Sequence, residues 1–346
     1  IDGLIVKRFS VDPRNLESMV PLQIAISEGM SVEIDDQVEW MAQSVNSSGL
    51  YEHIALHASE CDLVFFAPYL FGTTFWGAQI VPDKSCLIPC LHDEKMAYAE
   101  LFGIMFQRVK GSLFNAGAEQ RLAESLYGRL VGGEVGMGFD PLEYQKGHLP
   151  YLPQGTNYLL YVGRKETGKN AHLLIDLFTA CKDSGALQED LKLVFVGGGD
   201  FKDLHRPNAL ERDDIINLPH VSEAEKKGLI EHALALCQPS TNESFSIVIM
   251  EAWLLGTPVM VHSACAVTRE HVTRSGGGFY FSDKVDFCGS LQYLLNNPEL
   301  RAQLASGGES YVRDYYSWEA VLNRFDQVVD NILSNKSGCS DDATCQ

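Results

Sequence analysis

The chain has 346 residues, of which 45% are hydrophobic and 21% charged, a composition typical of a globular protein long enough for two domains. Its formal net charge of −19 argues against nucleic acid as a partner and against a polybasic membrane patch, because there is no surplus of Lys and Arg to neutralise phosphates. No stretch of the sequence is long and apolar enough to predict a transmembrane helix.

The nine cysteines are an odd number, and no C-x-x-C pair occurs among them. The pattern predicts a reducing, cytoplasmic setting, with peripheral membrane contact left open, and no metal site. The two cysteines of the polar C-terminal tail, Cys339 and Cys345, are expected to be free thiols. The other seven lie mostly in apolar stretches and are interpreted as small buried hydrophobic residues: Cys61, Cys86, Cys90, Cys181, Cys237, Cys265 and Cys288.

The first half of the sequence alternates strand-like and helical runs, which predicts an α/β domain over residues 1–150. The chain starts abruptly on a strand-like segment, residues 4–9, so we expect an N-terminal piece to be missing. Further buried parallel strands are predicted at residues 62–68, 86–91 and 111–115, and helices at residues 35–44, 51–59 and 118–126.

Two neighbouring segments rich in Gly, Pro and polar residues, 138–141 and 145–155, are interpreted as the interdomain linker. Beyond it the βα alternation restarts and predicts a doubly wound domain over residues 151–317. A helix over 318–333 is expected to cross back onto the first domain, and residues 334–346 to form a disordered tail. Within the second domain we predict a helix at 171–180 and strands at 158–162, 191–196, 235–239 and 257–261.

The most informative segment is E-S-F-S-I-V-I-M-E, residues 243–251. It is typical of a loop that leads into a helix, with Glu243 in the loop and Glu251 one and a half turns inside the helix. The helix N-terminus would offer free backbone N–H groups and a positive dipole end to a diphosphate. The residues that would offer them are Ser244, Phe245 and Ser246.

This segment resembles the E-x7-E motif of retaining glycosyltransferases of the GT-B fold, family 4, also called glycosyl transferases group 1. The resemblance implies two Rossmann-like doubly wound domains facing across a cleft, the first of them truncated here. It further implies that Glu243 lies beside the donor sugar and that Glu251 holds the ribose of the nucleotide. Without further matches, an amphipathic core helix that begins at a solvated acid is an equally good interpretation.

Further segments fall where the family places its nucleotide-sugar site. Gly163, Arg164 and Lys169 lie in a loop between a predicted strand and helix, and the resemblance implies that the two cations pair with the diphosphate. A solvated basic turn is the alternative. Gly198 lies in a Gly-rich turn after a strand, where the backbone can approach a ligand closely.

Two more matches carry weaker signals. Pro219 and His220 lie in the segment 217–222, which resembles the segment that the family places beside the nucleotide base. The resemblance implies that its contacts to the base are made largely by the backbone. His92 follows a predicted strand of the first domain, and it resembles the histidine that family members place by the donor sugar; a structural role is the alternative. The family's initial strand and Gly-rich loop have no counterpart here, so the acceptor cannot be identified from the sequence.

The sequence therefore predicts a metal-independent, retaining glycosyltransferase that moves a hexosyl or related group to an acceptor hydroxyl. The donor is a nucleotide-diphosphate-sugar, with UDP or GDP as the expected nucleotide, and no cofactor is expected. The acceptor is a glycan, a lipid or a small molecule, as in polysaccharide or glycoconjugate synthesis. A non-catalytic scaffold that binds sugar nucleotides and a GT-B-like sugar-nucleotide epimerase remain as alternatives.

Overall fold

The computed structural model describes residues 3–335, so the expected disordered tail and its two free thiols lie, apart from residues 334–335, outside the described residues. The chain divides into two compact units. Unit 1 comprises the residues up to Gly136 together with those from Asn323 onward, and unit 2 comprises Met137–Leu322. Across residues 3–335, none of the helices combines the length and the apolar composition that a membrane span requires.

Unit 1 is built on a four-stranded parallel sheet in the order β1-β2-β3-β4. Helices cover the sheet, and the central strands are therefore buried; Cys86, Leu87, Leu113 and Phe114 are at most 2% exposed. The strands are β1 Val64–Phe66, β2 Ser85–Leu87, β3 Gly111–Phe114 and β4 Gly132–Glu134. The helices are α1 Leu16–Ser27, α2 Ile34–Ala42, α3 Ser48–His57, α4 Gly72–Ala78, α5 Glu100–Arg108 and α6 Gly117–Tyr127.

The predicted first strand is wrong. Residues 4–9 form no strand, and Leu4 and Ile5 are 75% and 88% exposed. Among the described residues, β1 is the first strand of this sheet in chain order. Helix α1 was not predicted; it is capped by Asn15, whose side chain accepts from two backbone N–H groups, and it contains Pro21.

Unit 2 is built on a six-stranded parallel sheet in the order β10-β9-β8-β5-β6-β7. The strands are β5 Tyr158–Val162, β6 Lys192–Val196, β7 Ile215–Leu218, β8 Ala235–Gln238, β9 Val259–His262 and β10 Gly278–Phe281. The helices are α7 Ala171–Asp183, α8 Glu223–Glu231, α9 Ile247–Leu254, α10 Ala266–Ser275, α11 Lys284–Asn296 and α12 Pro298–Tyr315. The last helix, α13 Trp318–Ser334, begins in unit 2, and from Asn323 onward it belongs to unit 1.

The strand order of unit 2 reverses between β5 and β8. From β5 the chain moves outward to β6 and β7, and from β8 it moves outward in the opposite direction to β9 and β10. Loops that follow two such strands leave the sheet in opposite directions and open a crevice at the carboxyl edge, where ligands of doubly wound sheets bind. The β5–α7 and β8–α9 loops therefore flank the position at which a ligand of such a sheet binds.

The second segment interpreted as a linker, residues 145–155, is packed within unit 2. The backbone N–H groups of Gly147 and His148 donate to the Glu231 carboxylate over 2.7 and 2.9 Å, and His232 contacts the backbone oxygen of His148. The compact units divide after Gly136, whereas the sequence placed the domain boundary at residue 150.

The interpretation of the cysteines as unpaired hydrophobic residues is wrong for one pair. Cys181 on α7 and Cys288 on α11 form a disulfide, with their Cα atoms 5.9 Å apart. Apolar neighbours indicate that a cysteine is buried, but they do not show which sulfur atom it faces. Cys61 also departs from the expectation because it is exposed, whereas Cys86, Cys237 and Cys265 are buried free thiols.

Candidate functional site

The structure brings Lys169 and Glu243 together at the point where the strand order of unit 2 reverses. The Lys169 ammonium lies 2.8 Å from Oε1 of Glu243, and their side chains are 29% and 12% exposed. Asn170, in the left-handed conformation at the start of α7, donates from its side chain to the backbone oxygen of Pro239 over 3.2 Å. The β5–α7 and β8–α9 loops are therefore joined by an ion pair and a hydrogen bond.

Arg164 lies in the same β5–α7 loop but points into solvent. Its side chain is 75% exposed, and its guanidinium contacts Oε1 of Glu166 over 3.2 Å. Lys165, which the sequence reasoning passed over, is instead 1% exposed, and its ammonium donates to the backbone oxygen of Gly197. Burial lowers the pKa of Lys165, although the nearby carboxylate of Asp200 opposes that shift.

The Gly-rich turn after β6 packs its backbone against the β5–α7 loop. A Cβ atom at Gly199 would lie 2.5 Å from the backbone oxygen of Lys165, and one at Gly197 would overlap the backbone oxygen of Gly163. Gly199 also has a φ of +93°, which L-residues rarely adopt. At Gly198, by contrast, a Cβ would meet no atom within 4 Å, so this is the position of the turn that is open to a ligand.

Helix α9 begins directly after the loop that carries Glu243. Ser246 precedes its first residue with a φ of +74°, and its side chain does not cap the helix. Among the described residues, the buried Ser246 Oγ has no hydrogen-bond partner. An uncapped helix N-terminus next to a lysine provides backbone donors and positive charge for an anionic group.

Phe245 anchors this loop in the interior of unit 2. It is 1% exposed, and its ring stacks on Phe139 and meets His271 and Tyr316 edge-on, with centroids 5.0–6.2 Å apart. Nδ1 of His271 lies 3.0 Å from the Tyr311 hydroxyl. Burial lowers the pKa of His271 to about 3, so this histidine is neutral in the folded protein at neutral pH.

Glu251 lies within α9, and its side chain is only 11% exposed. Its Oε1 atom accepts from the Lys226 ammonium over 3.1 Å and from the Tyr144 hydroxyl over 3.3 Å. Lys226 also contacts Oε2 of Glu223 over 2.8 Å. The structure thus keeps Glu243, in the loop before α9, and Glu251, inside α9, in separate hydrogen-bond networks.

The remaining predicted residues lie apart from these contacts. Pro219 and His220 are exposed in the short loop between β7 and α8. His92 belongs to unit 1, where it follows β2, and its Nδ1 lies 3.7 Å from Oε1 of Glu94. Burial raises the pKa of Glu94, but hydrogen bonds from His92 and Tyr69 outweigh it and lower the pKa overall. A role for His92 at a sugar stays a prediction.

Four residues of this region were not predicted from the sequence: Tyr144, Lys165, Lys226 and His271. Tyr144 lies between the two segments interpreted as the linker, and no local pattern marks a lysine on α8 as a partner of a glutamate on α9. Lys165 lies between Arg164 and Glu166, and nothing in this charged local sequence indicates that its side chain is buried. In residues 3–335, no three His, Cys, Asp or Glu side chains are grouped so that they could hold a metal ion.

Comparison with known proteins shows what the second part of the chain is similar to. Residues 150–311 match the family described as "Glycosyl transferases group 1". The chain is 30% identical over 207 residues to D-inositol 3-phosphate glycosyltransferase of Salinispora tropica, covering 56% of this chain and 42% of that protein. It is 28% identical over 216 residues to phosphatidyl-myo-inositol mannosyltransferase of Mycobacterium leprae, covering 58% of this chain and 56% of that protein. The chain spans about half the length of these curated relatives.

Solved structures with low sequence identity show the same fold. Sucrose-phosphate synthase from Thermosynechococcus elongatus superimposes with a TM-score of 0.67 at 16% identity, over 88% of this chain and 80% of that one. Anabaena Alr3699/HepE in complex with UDP and glucose superimposes with a TM-score of 0.65 at 18% identity, over 83% and 82%.

The two parallel-sheet α/β units and these neighbours confirm the predicted fold class, that of the GT-B glycosyltransferases. The sequence match to the glycosyl transferases group 1 family covers residues 150–311 of unit 2.

Proposed function

We propose that the protein is a retaining glycosyltransferase that moves a sugar from a nucleotide-diphosphate-sugar to an acceptor hydroxyl. The observation that carries the proposal is the 2.8 Å contact between Lys169 and Glu243 at the edge of the sheet where the strand order reverses. It sets a cation, an anion and the uncapped start of α9 side by side. A glycosyl donor offers the matching groups, an anionic diphosphate joined to a sugar that becomes positive as the bond breaks.

In this proposal the positive groups stabilise the departing diphosphate. Lys169 and the backbone N–H groups at the start of α9 bind it, and the exposed Arg164 turns from Glu166 to join them. Because these groups supply positive charge themselves, we expect transfer without a metal ion. The carboxylate of Glu243 accepts from sugar hydroxyls and supports the positive charge that develops at the anomeric carbon.

The second carboxylate, that of Glu251, is proposed to bind the nucleoside part of the donor. Glu251 accepts from the ribose hydroxyls, Gly198 lets the backbone approach the ligand, and the loop with Pro219 and His220 lies beside the base. We propose UDP or GDP as the nucleotide. UDP and glucose in the Anabaena structure, and the inositol derivatives in the names of the relatives, support a sugar nucleotide and a hydroxyl acceptor. A cytoplasmic location belongs to the same proposal.

The test is calorimetric binding of UDP, GDP, ADP and TDP, with Glu251→Ala as the variant. We expect one nucleotide to bind preferentially and the variant to lose at least about ten-fold in affinity, since a hydrogen bond to a charged group contributes about 1.5–3 kcal/mol. Unchanged affinity in the variant would remove Glu251 from the ribose. Product analysis with the preferred donor, with and without EDTA, then tests transfer, anomeric retention and independence of metal.

A further inference from the structure

The carboxylate of Glu251 is held through one of its two oxygens. Lys226 of α8 and Tyr144 of the turn Pro141–Tyr144 both donate to Oε1, over 3.1 and 3.3 Å. Among the described residues, the structure gives Oε2 of Glu251 no hydrogen-bond donor. One oxygen is therefore fixed by the protein, and the other is free to accept from a ligand.

We propose that Tyr144 and Lys226 are positioning residues that aim Oε2 of Glu251 at the ribose diol, and that they thereby set a preference for ribonucleotides over deoxyribonucleotides. The inference rests on the proposed function, because it takes Glu251 as the ribose-binding acid. Tyr144 and Lys226 lie outside the E-x7-E motif, and the preference for ribonucleotides is a specificity that these two residues control.

The burial of the Glu251 and Lys226 side chains supports this role. Glu251 is 11% and Lys226 17% exposed at the side chain. A carboxylate so far removed from water is costly unless it is paired, and a paired one is fixed in orientation. With both donors on the same oxygen, the plane of the carboxylate is defined while its second oxygen keeps its full capacity to accept.

The charges around Lys226 and Tyr144 keep both groups protonated. Burial lowers the pKa of Lys226, but the carboxylates of Glu223 and Glu251 outweigh it, and the pKa is raised overall. Burial raises the pKa of Tyr144, and Glu251 raises it further. Both side chains therefore remain donors through neutral pH, and the ammonium of Lys227, 4.8 Å from the Tyr144 ring centroid, adds a contact that holds the ring in place.

A purely structural role predicts a different result. If Lys226 and Tyr144 only tie α8 and the turn to α9, their loss lowers stability and weakens every nucleotide by the same factor. If they aim Glu251 at the ribose, their loss weakens ribonucleotides and spares deoxyribonucleotides. The ratio of the two affinities separates the roles, because a general loss of folded protein cancels in it.

The experiment measures the affinities of UDP, GDP and their 2′-deoxy and 3′-deoxy forms by calorimetry. The variants are Lys226→Met, Lys226→Arg and Tyr144→Phe. Lys146→Met is the matched control, because it removes a lysine of the same region that pairs with Glu309, over 2.7 Å, instead of Glu251. For the wild-type protein we expect the ribonucleotide to bind about ten-fold tighter than at least one deoxy form, the effect of losing one charge-assisted hydrogen bond.

Lys226→Met and Tyr144→Phe are expected to bring this ratio to within about two-fold of unity, chiefly by weakening the ribonucleotide. Lys226→Arg restores most of the ratio, and Lys146→Met leaves it unchanged. Equal losses for both forms, or a wild-type protein that does not discriminate between them, overturn the inference and leave the proposed function intact. A wild-type protein that binds neither UDP nor GDP overturns the proposed function itself.

Discussion

Removing the cation at the edge of the sheet should weaken diphosphates selectively. Lys169→Met takes away an ammonium 2.8 Å from Glu243 whose side chain is 29% exposed. Two unit charges 4 Å apart interact with about 4 kcal/mol at an effective dielectric constant of about 20. Partial exposure reduces this value, and hydrogen bonds to charged groups contribute about 1.5–3 kcal/mol. We therefore expect UDP or GDP to lose about 2 kcal/mol, or about 30-fold in affinity.

The assay compares each nucleoside diphosphate with its monophosphate by calorimetry at about 0.15 M salt, where long-range charge effects are screened. The monophosphate should lose less than about three-fold, because Lys169 is proposed to bind the diphosphate and the monophosphate lacks its outer phosphate. Lys202→Met, at an exposed position of unit 2, controls for the loss of one positive charge. The double variant Lys169→Met/Glu243→Gln shows whether an unpaired Glu243 repels the ligand. Equal losses for mono- and diphosphate would refute the leaving-group assignment.

Two other predictions concern the packing around the site. His271 has a pKa of about 3 when folded and about 6.5 when unfolded, so between these values only the unfolded chain binds the proton. Stability is therefore lost as the pH falls through this range, by up to about 5 kcal/mol, and His271→Gln should show a shallower pH dependence of its urea midpoint; an identical slope would contradict the assignment. Gly198→Ala should leave the melting temperature unchanged yet weaken the nucleotide, whereas Gly199→Ala should lower the melting temperature, because its Cβ meets backbone. Unchanged affinity in Gly198→Ala places the ligand elsewhere.

The sequence predicted what depends on local pattern. Strand β5 has the predicted bounds, and the two loops that carry Lys169 and Glu243 meet, because parallel strands of this order bring their carboxyl ends to one edge. Apolar runs indicate burial on both faces of a parallel sheet, so the four inner strands of unit 2 were predicted. The edge strands β7 and β10 are less buried and were not predicted. The run at residues 4–9 was misleading, since a strand also needs a partner that the sequence does not reveal.

Contacts between distant residues were not predicted. Tyr144 and Glu251 are 107 positions apart, as are Cys181 and Cys288, and neither pair has a spacing that marks it. Tyr144 lies between two segments rich in Gly and Pro, a composition that indicates a linker, yet the second of these segments is hydrogen-bonded to Glu231. The motif thus identified the acids of the site but not the donors that orient one of them.

Helix α9, which carries Glu251 and starts beside Glu243, is also the most enclosed helix described in unit 2. All six residues from Ile249 to Leu254 are buried, and the Trp253 indole lies against Gly308 and donates to the backbone oxygen of Gly277. The amide hydrogens of its buried C-terminal half, residues 251–254, should therefore exchange with solvent only when unit 2 unfolds. Adjustment to a bound nucleotide must then come from the exposed segments, the Arg164 loop and residues 219–220. Hydrogen exchange measured with and without UDP or GDP should change there and at the uncapped first turn of α9, and not over residues 251–254.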